Sequence, residues 1–281
     1  MTALRRRTDP DRVVSPVRST PAAAAWARHA GAVVLPPVVF GVAFIALWQL
    51  FVRAADVKPY VLAAPSDIWS AFTEHHGRII DATIDTGKNA LVGLIIGAVI
   101  GVLLAALAAR FSWFNGMATP LVSALAAVPI VCLAPLFNHM YSLLSSTPRR
   151  DVVAIAAFVP IFINTVRGLS QLAPVHRELM ESYAASGTAV LIRIRIPNAL
   201  PHFFTGLRVA ASVAVITAVV AEYFGGVKKG LGSRITDNIG STDYPQAWAS
   251  ILGAVVLGLI FFVVTLTVER LVLGRRAAAL A

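Results

Sequence analysis

Long apolar runs dominate the distribution of hydrophobic residues along this chain, in place of the alternating or narrow amphipathic patterns of soluble proteins. A run of about 20 apolar residues is long enough to cross the hydrocarbon core of a bilayer as a helix. The pattern therefore predicts an all-α membrane protein with about six transmembrane helices. We place these helices at residues 32–52, 89–109, 117–137, 151–168, 203–223 and 247–273.

The apolar runs divide the chain into a membrane domain, residues 31–274, and two tails, residues 1–30 and 275–281. The first tail combines arginines with Pro, Ser and Ala, a composition typical of a disordered segment. The first apolar run starts far from the N-terminus and is long enough to span a bilayer, which disfavours a cleaved signal peptide. We expect this run to be the first transmembrane helix.

Composition supports the membrane assignment, because 57% of the 281 residues are hydrophobic and only 14% are charged. Soluble domains carry about 25% charged residues. The net charge of +10 comes from basic residues at the ends of apolar runs rather than from a cluster with aromatics, which disfavours nucleic acid as a partner. Fifteen basic residues fall on the side of the tails and nine on the other side. This bias predicts a multi-pass plasma or inner membrane protein with both termini in the cytoplasm.

The most informative polar segment between predicted spans runs from Glu178 to Pro201. Its first half is predicted to be a short amphipathic helix, with acidic residues near its N-terminus and Leu179 on its apolar face. Its second half holds Pro197 and Pro201, which are expected to end the helix because proline cannot continue a helix interior. A short helix, a break and a new apolar run predict a docking element on the membrane surface.

This segment resembles the cytoplasmic loop of ABC-importer permeases, in which a Glu-Ala-Ala sequence, a Gly and a closing Pro form a coupling helix. In that family the helix sits in a groove of the ATP-hydrolysing subunit. The resemblance covers roughly residues 32–273 and implies a type I importer permease fold. The residues that it implicates in ATPase coupling are Glu178, Glu181, Ala184, Ala185, Ser186, Gly187, Pro197 and Pro201.

Two registers of this resemblance are possible. In the first, Glu178 and Ala184 occupy the family's Glu and Gly positions, and Pro197 matches the closing proline. In the second, Glu181 and Gly187 occupy them, and the proline arrives three residues early. We favour the first register because it also aligns the residues that follow the proline. Which glutamate faces the partner remains open at this stage.

Prolines within the third and fourth predicted spans indicate broken or kinked helices. Such breaks are tolerated where neighbouring groups or a water-lined cavity satisfy the freed carbonyls. The candidate pathway-lining residues are accordingly Pro129, Pro135, Pro160 and Asn164. Ordinary kinked packing is the alternative interpretation, and we give it about equal weight.

The second span carries a small residue at every fourth position, a spacing that lets another helix approach closely in lipid. These candidate packing residues are Gly93, Gly97 and Gly101. The helix that they contact belongs either to this chain or to a second copy of it, and the sequence favours neither alternative.

Two charged residues, Arg208 and Glu222, fall near the ends of the fifth span, where side chains are expected to snorkel to the interface. A functional charge in the pathway is the alternative interpretation of either residue. Ala221-Glu222 followed by Gly230-Leu231-Gly232 also resembles the Ala-Glu…Gly-Leu-Gly turn of the same family. That resemblance implies an extracytoplasmic turn that meets the substrate-binding protein.

The chain lacks the motifs of an enzyme: it has no P-loop, no His-Glu-x-x-His and no Gly-x-Ser-x-Gly. We therefore predict no catalytic residues, no metal and no bound cofactor, with ATP used by a separate subunit. The resemblance implies ABC ATPase subunits, a second permease copy in a homodimer, an extracytoplasmic binding protein and membrane lipid as partners.

Within the family, the chain looks most like permeases for nitrate, sulfonate or taurine, and for pyrimidine-type vitamin precursors or riboflavin. The expected function is import of such a small nutrient. An ion-coupled secondary transporter without an ATPase is the main alternative, and a membrane anchor for partner proteins is the third.

Overall fold

The computed structural model describes residues 22–141, 145–172, 174–225 and 227–280, and all regular secondary structure in them is helical. Most of the predicted basic tail, residues 1–21, lies outside the described residues. The helices are α1 (Ala22–Ala54), α2 (Pro65–Glu74), α3 (His76–Arg110), α4 (Ser112–Leu125), α5 (Ile130–Met140), α6 (Thr147–Ser170), α7 (Pro174–Ser182), α8 (Gly187–Val190), α9 (Ile196–Tyr223), α10 (Leu231–Gly240) and α11 (Tyr244–Leu280). A π-helical turn, Leu191–Arg195, joins α8 to α9.

Five of these helical segments are long and apolar enough to cross a membrane, and they correspond to the first, second, fourth, fifth and sixth predicted spans. The all-α membrane fold is confirmed. The prediction of a third spanning helix at 117–137 is wrong, because α4 ends at Leu125 and α5 begins at Ile130; a break at the prolines of this span was expected. The break falls at Pro129, whose extended backbone (ψ 106°) starts α5, and a residue that precedes proline is disfavoured in the α conformation.

The chain divides into two compact units, Met1–Ala55, which contains α1, and Asp56–Ala281. In the second unit, α3 and α6 run parallel, because Gly93 lies against Val153 and Gly101 lies against Ile161. Helix α9 runs antiparallel to α6, since Gly168 lies against Ala199 whereas Gly206 lies against the Pro160 carbonyl.

Because α3 and α6 run in the same direction, the connection between them must return across the full depth of the unit. Helices α4 and α5 together make this return, so the pair takes the place of the predicted third span. The unit thus has two ends. We call the end where α3, α6 and α11 begin and α9 finishes the turn end, and the opposite end, which holds α7 and α8, the loop end.

The glycine ridge of α3 packs within the chain. A Cβ at Gly93 would lie 2.5 Å from the Val153 Cβ, and one at Gly97 would lie 2.5 Å from the Ala154 carbonyl oxygen. Both glycines are buried against α6. Of the two partners considered for this ridge, the structure selects a helix of the same chain, whose backbone approaches α3 closely because the side chains are absent.

Candidate functional site

The loop-end segment consists of α7, a tight turn and α8. The amide of Ala185 donates to the Met180 carbonyl at 3.0 Å, and Ala184 has a positive φ of 48°. A residue in the left-handed region followed by such a bond is the usual way for a helix to end, and glycine is favoured there. The Ser186 side chain then accepts a hydrogen bond from the Ala189 amide and caps α8.

The prediction that Pro197 and Pro201 end the helix is wrong. The chain is helical without interruption from Gly187 to Tyr223, which at 1.5 Å per residue is about 55 Å. The π-helical turn lies directly before Pro197, and its extra residue makes room for a proline ring in a continuing helix. Pro201 lies inside α9, where the Thr205 hydroxyl donates to its carbonyl at 3.0 Å.

One face of α7 presents uncovered apolar side chains. Val175, Leu179 and Tyr183 are 69%, 49% and 75% exposed. Residues four apart in a helix lie on the same face, so the three side chains form one stripe, which we call the α7 stripe. Glu178 beside them is exposed as well. The side chain of Glu181 lies outside the described part of the chain.

The opposite side of the segment faces a cleft of about 1150 Å³ at the loop end. Met180, Ala184 and Ala185 line this cleft together with the ends of α3, α6 and α9. The segment therefore has an inner side that faces the helix bundle and an outer side that carries the α7 stripe.

The four candidate pathway residues lie on different segments. Asn164 donates from its side-chain amide to the Pro160 carbonyl at 2.8 Å, and both residues lie where α6 meets α9. Pro129 is exposed at the start of α5, and Pro135 is half-buried within it. Their role in a pathway stays a prediction.

The turn end contains a buried polar network around Glu222, whose side chain is only 1% exposed. Its carboxylate accepts hydrogen bonds from the Thr86 hydroxyl at 2.7 Å, the Asn89 amide at 3.4 Å and the Gly232 amide at 3.2 Å. The Thr86 hydroxyl in turn accepts a bond from the Leu231 amide at 2.9 Å. The carboxylate thus joins α3 and α9 to the N-terminus of α10.

Arg149 of α6 completes this network and is 2% exposed. Its guanidinium lies 3.9 Å from the Glu222 carboxylate and donates to the carbonyls of Gly225, Val227 and Lys229. The arginine therefore holds the backbone of the turn, while the glutamate holds the helix that follows it.

The prediction that Glu222 snorkels to the interface is wrong. Its carboxylate is buried, and donors within the chain supply the hydrogen bonds that water would otherwise supply. The resemblance of Ala221-Glu222 and Gly230-Leu231-Gly232 to the family's turn did point to this region of the chain. Gly230 has a positive φ of 110°, and a Cβ there would overlap the Glu222 carboxylate. Sequence reasoning missed Arg149, which reads as an ordinary charge at the end of a span.

Arg208 was expected to snorkel, but it forms an ion pair instead. Its guanidinium lies 2.5 Å from the Glu269 carboxylate, and the two side chains are 35% and 15% exposed. The pair links α9 to α11. Charged residues inside membrane segments usually pair in this way.

Among the described residues, no group of three His, Cys, Asp or Glu side chains is placed to hold a metal ion. The structure offers instead a hydrogen-bonded turn at one end, an uncovered apolar stripe at the other, and one long helix between them.

The family follows from comparison with known proteins. Residues 97–276, more than half of the chain, match the family described as the binding-protein-dependent transport system inner membrane component. The chain belongs to this family, and it is a transporter subunit rather than an enzyme. Its function is that of an ABC importer permease for small nutrients, with ATP hydrolysis carried out by a separate subunit.

Two relatives illustrate the similarity. The chain is 28% identical to the formylaminopyrimidine transport permease protein ThiX of Halalkalibacterium halodurans over 86% of this chain and 96% of that protein. It is 30% identical to the riboflavin transport system permease protein RibX of Chloroflexus aurantiacus over 83% of this chain and 87% of that protein.

A sulfonate permease and a solved transporter add to this comparison. The chain is 28% identical to the putative aliphatic sulfonates transport permease protein SsuC of Escherichia coli, over 66% of this chain and 71% of that protein. The crystal structure of an amino acid ABC transporter with histidines has a TM-score of 0.55 and 18% identity, and covers 73% of this chain and 96% of that one. This likeness supports the fold.

Proposed function

We propose that the segment Pro174–Val190 is the coupling element through which an ABC ATPase drives this permease. The α7 stripe is the observation that carries the proposal, because three aligned apolar side chains are left uncovered on a segment outside the helix bundle. Uncovered apolar groups of this kind mark protein interaction sites. An ATPase groove that accepts a short amphipathic helix fits this stripe.

The backbone of the segment supports the first register of the family resemblance. Ala184 has the left-handed conformation that glycine favours, and in this register it occupies the family's Gly position. Gly187, its counterpart in the second register, begins α8. Glu178 is then the glutamate of the coupling segment, and it is exposed for contact with a partner.

The loop end faces the cytoplasm in this proposal, and the turn end faces the substrate-binding protein outside. The bias of fifteen basic residues against nine supports this orientation. Two copies of the chain enclose the translocation path, and Pro129, Pro135, Pro160 and Asn164 are the residues that we expect to border it. Membrane lipid surrounds the remaining apolar surface.

The cargo is proposed to be a small nutrient delivered by the binding protein. Among the relatives are permeases for formylaminopyrimidine, riboflavin and aliphatic sulfonates. We place the substrate in this range of small organic nutrients or in that of inorganic anions such as nitrate. An ion-coupled transporter without an ATPase is not favoured by the family match.

The proposal is tested by purifying the tagged chain from its native membrane in mild detergent and identifying the proteins that accompany it. We expect an ABC-type ATPase with the native chain and its loss with Leu179→Arg, which places a charge in the α7 stripe. Leu179 is chosen because it is exposed on the outer side of the segment, whereas residues such as Ala185 line the cleft on the inner side. Ser70→Arg, an equally exposed change at the turn end, is the control and should retain the ATPase.

Equal ATPase recovery with Leu179→Arg and Ser70→Arg would contradict the coupling role of the segment. Absence of any ATPase from the native preparation, with transport persisting after ATP depletion, would instead favour ion coupling.

A further inference from the structure

The loop-end cleft has a donor-rich lining. It is enclosed by the ends of α3, α6 and α9 and is closed on one side by the coupling segment. Its polar lining side chains belong to Arg110, Arg195, Thr165, Ser170 and Thr188, and none of the described residues that line it is acidic. Most of the remaining wall is apolar. A cavity with this lining offers hydrogen-bond donors and positive charge, but no counter-charge.

The two arginines have no carboxylate partner among the side chains that the structure describes. One guanidinium nitrogen of Arg195 donates to the Ala109 carbonyl at 3.3 Å, whereas its Nε is buried without a hydrogen-bond partner. The Arg110 guanidinium lies 5.1 Å from the ring centre of Phe111. Arg110 is exposed, whereas Arg195 is half-buried with only a backbone acceptor, and a charge partly removed from water without a counter-charge is costly.

Thr165 provides a second, independent observation. The residue is 4% exposed and lines the cleft, yet its hydroxyl has no hydrogen-bond partner. An unsatisfied buried hydroxyl is destabilising, and native structures contain few of them. Thr165 and Arg195 therefore both line the cleft with a donor that has no acceptor among the described residues.

We propose that this cleft binds an organic oxyanion, a carboxylate, sulfonate or phosphate group on an apolar body. Arginine is well suited to bind such a group, and the apolar wall accommodates the rest of the molecule. The cleft volume of about 1150 Å³ slightly exceeds the usual range of small-molecule sites, so the cleft has room for such a molecule. The same chemistry is offered by the head group of an anionic phospholipid and by a soluble organic anion. Neither source requires the ATPase assignment to be correct.

The test uses the purified full-length chain and two probes. Phosphatidylglycerol is compared with phosphatidylcholine of identical acyl chains by native mass spectrometry, and butanesulfonate is titrated by calorimetry. We expect at least one anionic probe to bind and the double variant Arg110→Gln/Arg195→Gln to weaken its affinity at least tenfold. Arg193→Gln is the matched control, because Arg193 lies on the same π-helical turn but does not line the cleft, and it should change affinity less than twofold.

Thr165→Val separates binding from folding. Because the hydroxyl has no partner, we expect this variant to keep or raise the thermal stability of the unliganded chain while it weakens probe binding several-fold. Selective phosphatidylglycerol binding would identify lipid as the source, and butanesulfonate binding would identify a soluble anion. The proposal is overturned if neither probe binds, or if Arg193→Gln weakens binding as much as the double variant does.

Discussion

The two ends of the helix Gly187–Tyr223 are built in opposite ways. At the turn end, Glu222 and Arg149 are almost fully buried and bonded to α3, to the turn and to α10. At the loop end, the helix continues into a segment with an exposed apolar stripe on one side and a cleft on the other. The difference shows that one helix combines an end that is buried and hydrogen-bonded within the chain with an end beside which the chain leaves apolar side chains uncovered.

Buried charge explains the rigidity of the turn end. Removing a carboxylate and a guanidinium from water is expensive, and the pair is stable only if other groups satisfy its remaining hydrogen bonds. Glu222 has three donors besides Arg149, and Arg149 has three backbone acceptors. The turn that we propose to meet the binding protein is therefore preformed, and a continuous helix connects it to the coupling segment.

The largest expected effect is at the turn end. Glu222→Ala leaves Arg149 buried without its counter-charge, which should destabilise the chain by about 3–5 kcal/mol. The double variant Arg149→Met/Glu222→Leu removes both charges and should be less destabilised than the single variant. Thermal unfolding of the purified chains measures both, and a single variant as stable as the native chain would show that the network does not hold the turn.

The second-largest loss of stability is expected where α3 packs against α6. In Gly97→Leu the new side chain meets the Ala154 carbonyl and the Phe158 amide, so backbone rather than side chains must move. We expect a loss of roughly 1–3 kcal/mol in the free energy of unfolding. Gly258→Leu is the control in α11, because a Cβ at Gly258 has no atom within 4 Å, and it should be nearly neutral. Equal losses of stability for Gly97→Leu and Gly258→Leu would contradict the close packing of α3 against α6.

A smaller effect of opposite sign is expected at the loop end. Ala184→Gly relieves the left-handed backbone that ends α7, a strain of about 1–2 kcal/mol for a residue with a Cβ. Hydrogen exchange of the α7 amides should slow in this variant. Ala185→Gly is the matched change at a neighbour without a positive φ, and it should speed exchange because it only adds backbone freedom. Slower exchange with Ala185→Gly than with Ala184→Gly would contradict the assigned turn.

The smallest effect is expected for an exposed ion pair that joins the turn after α9 to α10. Lys228 lies 3.0 Å from Asp237, but the two side chains are 80% and 49% exposed. Lys228→Ala should change the free energy of unfolding by no more than about 1 kcal/mol. A loss of stability comparable to that of Glu222→Ala would show that burial does not explain why the Glu222 charge contributes more to stability than the Lys228 charge.

Sequence patterns predicted the elements that depend on local rules. Apolar length located five of the long helices, and the polar segment at 178–201 predicted a short helix at α7. Local rules failed at two prolines. Pro129 lies at a helix break, as expected of proline, whereas Pro197 continues a helix directly after a π-helical turn and Pro201 lies inside α9. Whether a helix can continue through a proline depends on the backbone conformation of the preceding turn, which residue type alone does not determine.

The ion pairs were hidden from the sequence for another reason. Glu222 is 73 residues from Arg149 and more than 130 residues from Thr86 and Asn89, so only the packing of α3, α6 and α9 reveals the network. The same holds for Arg208 and Glu269, which meet across α9 and α11. A charge near the end of an apolar run predicts snorkelling when read alone, and only its distant partner changes that interpretation.

The most direct test of the coupling segment is a cross-link from the α7 stripe in intact native membranes. The single cysteine, Cys132, is replaced by serine, and Tyr183→Cys carries a photoactivatable reagent, with Ser70→Cys as the turn-end control. We predict that position 183 cross-links to an ABC-type ATPase and that position 70 does not. Cross-linking of the ATPase from position 70 but not from position 183 would contradict the coupling role and the orientation of the chain.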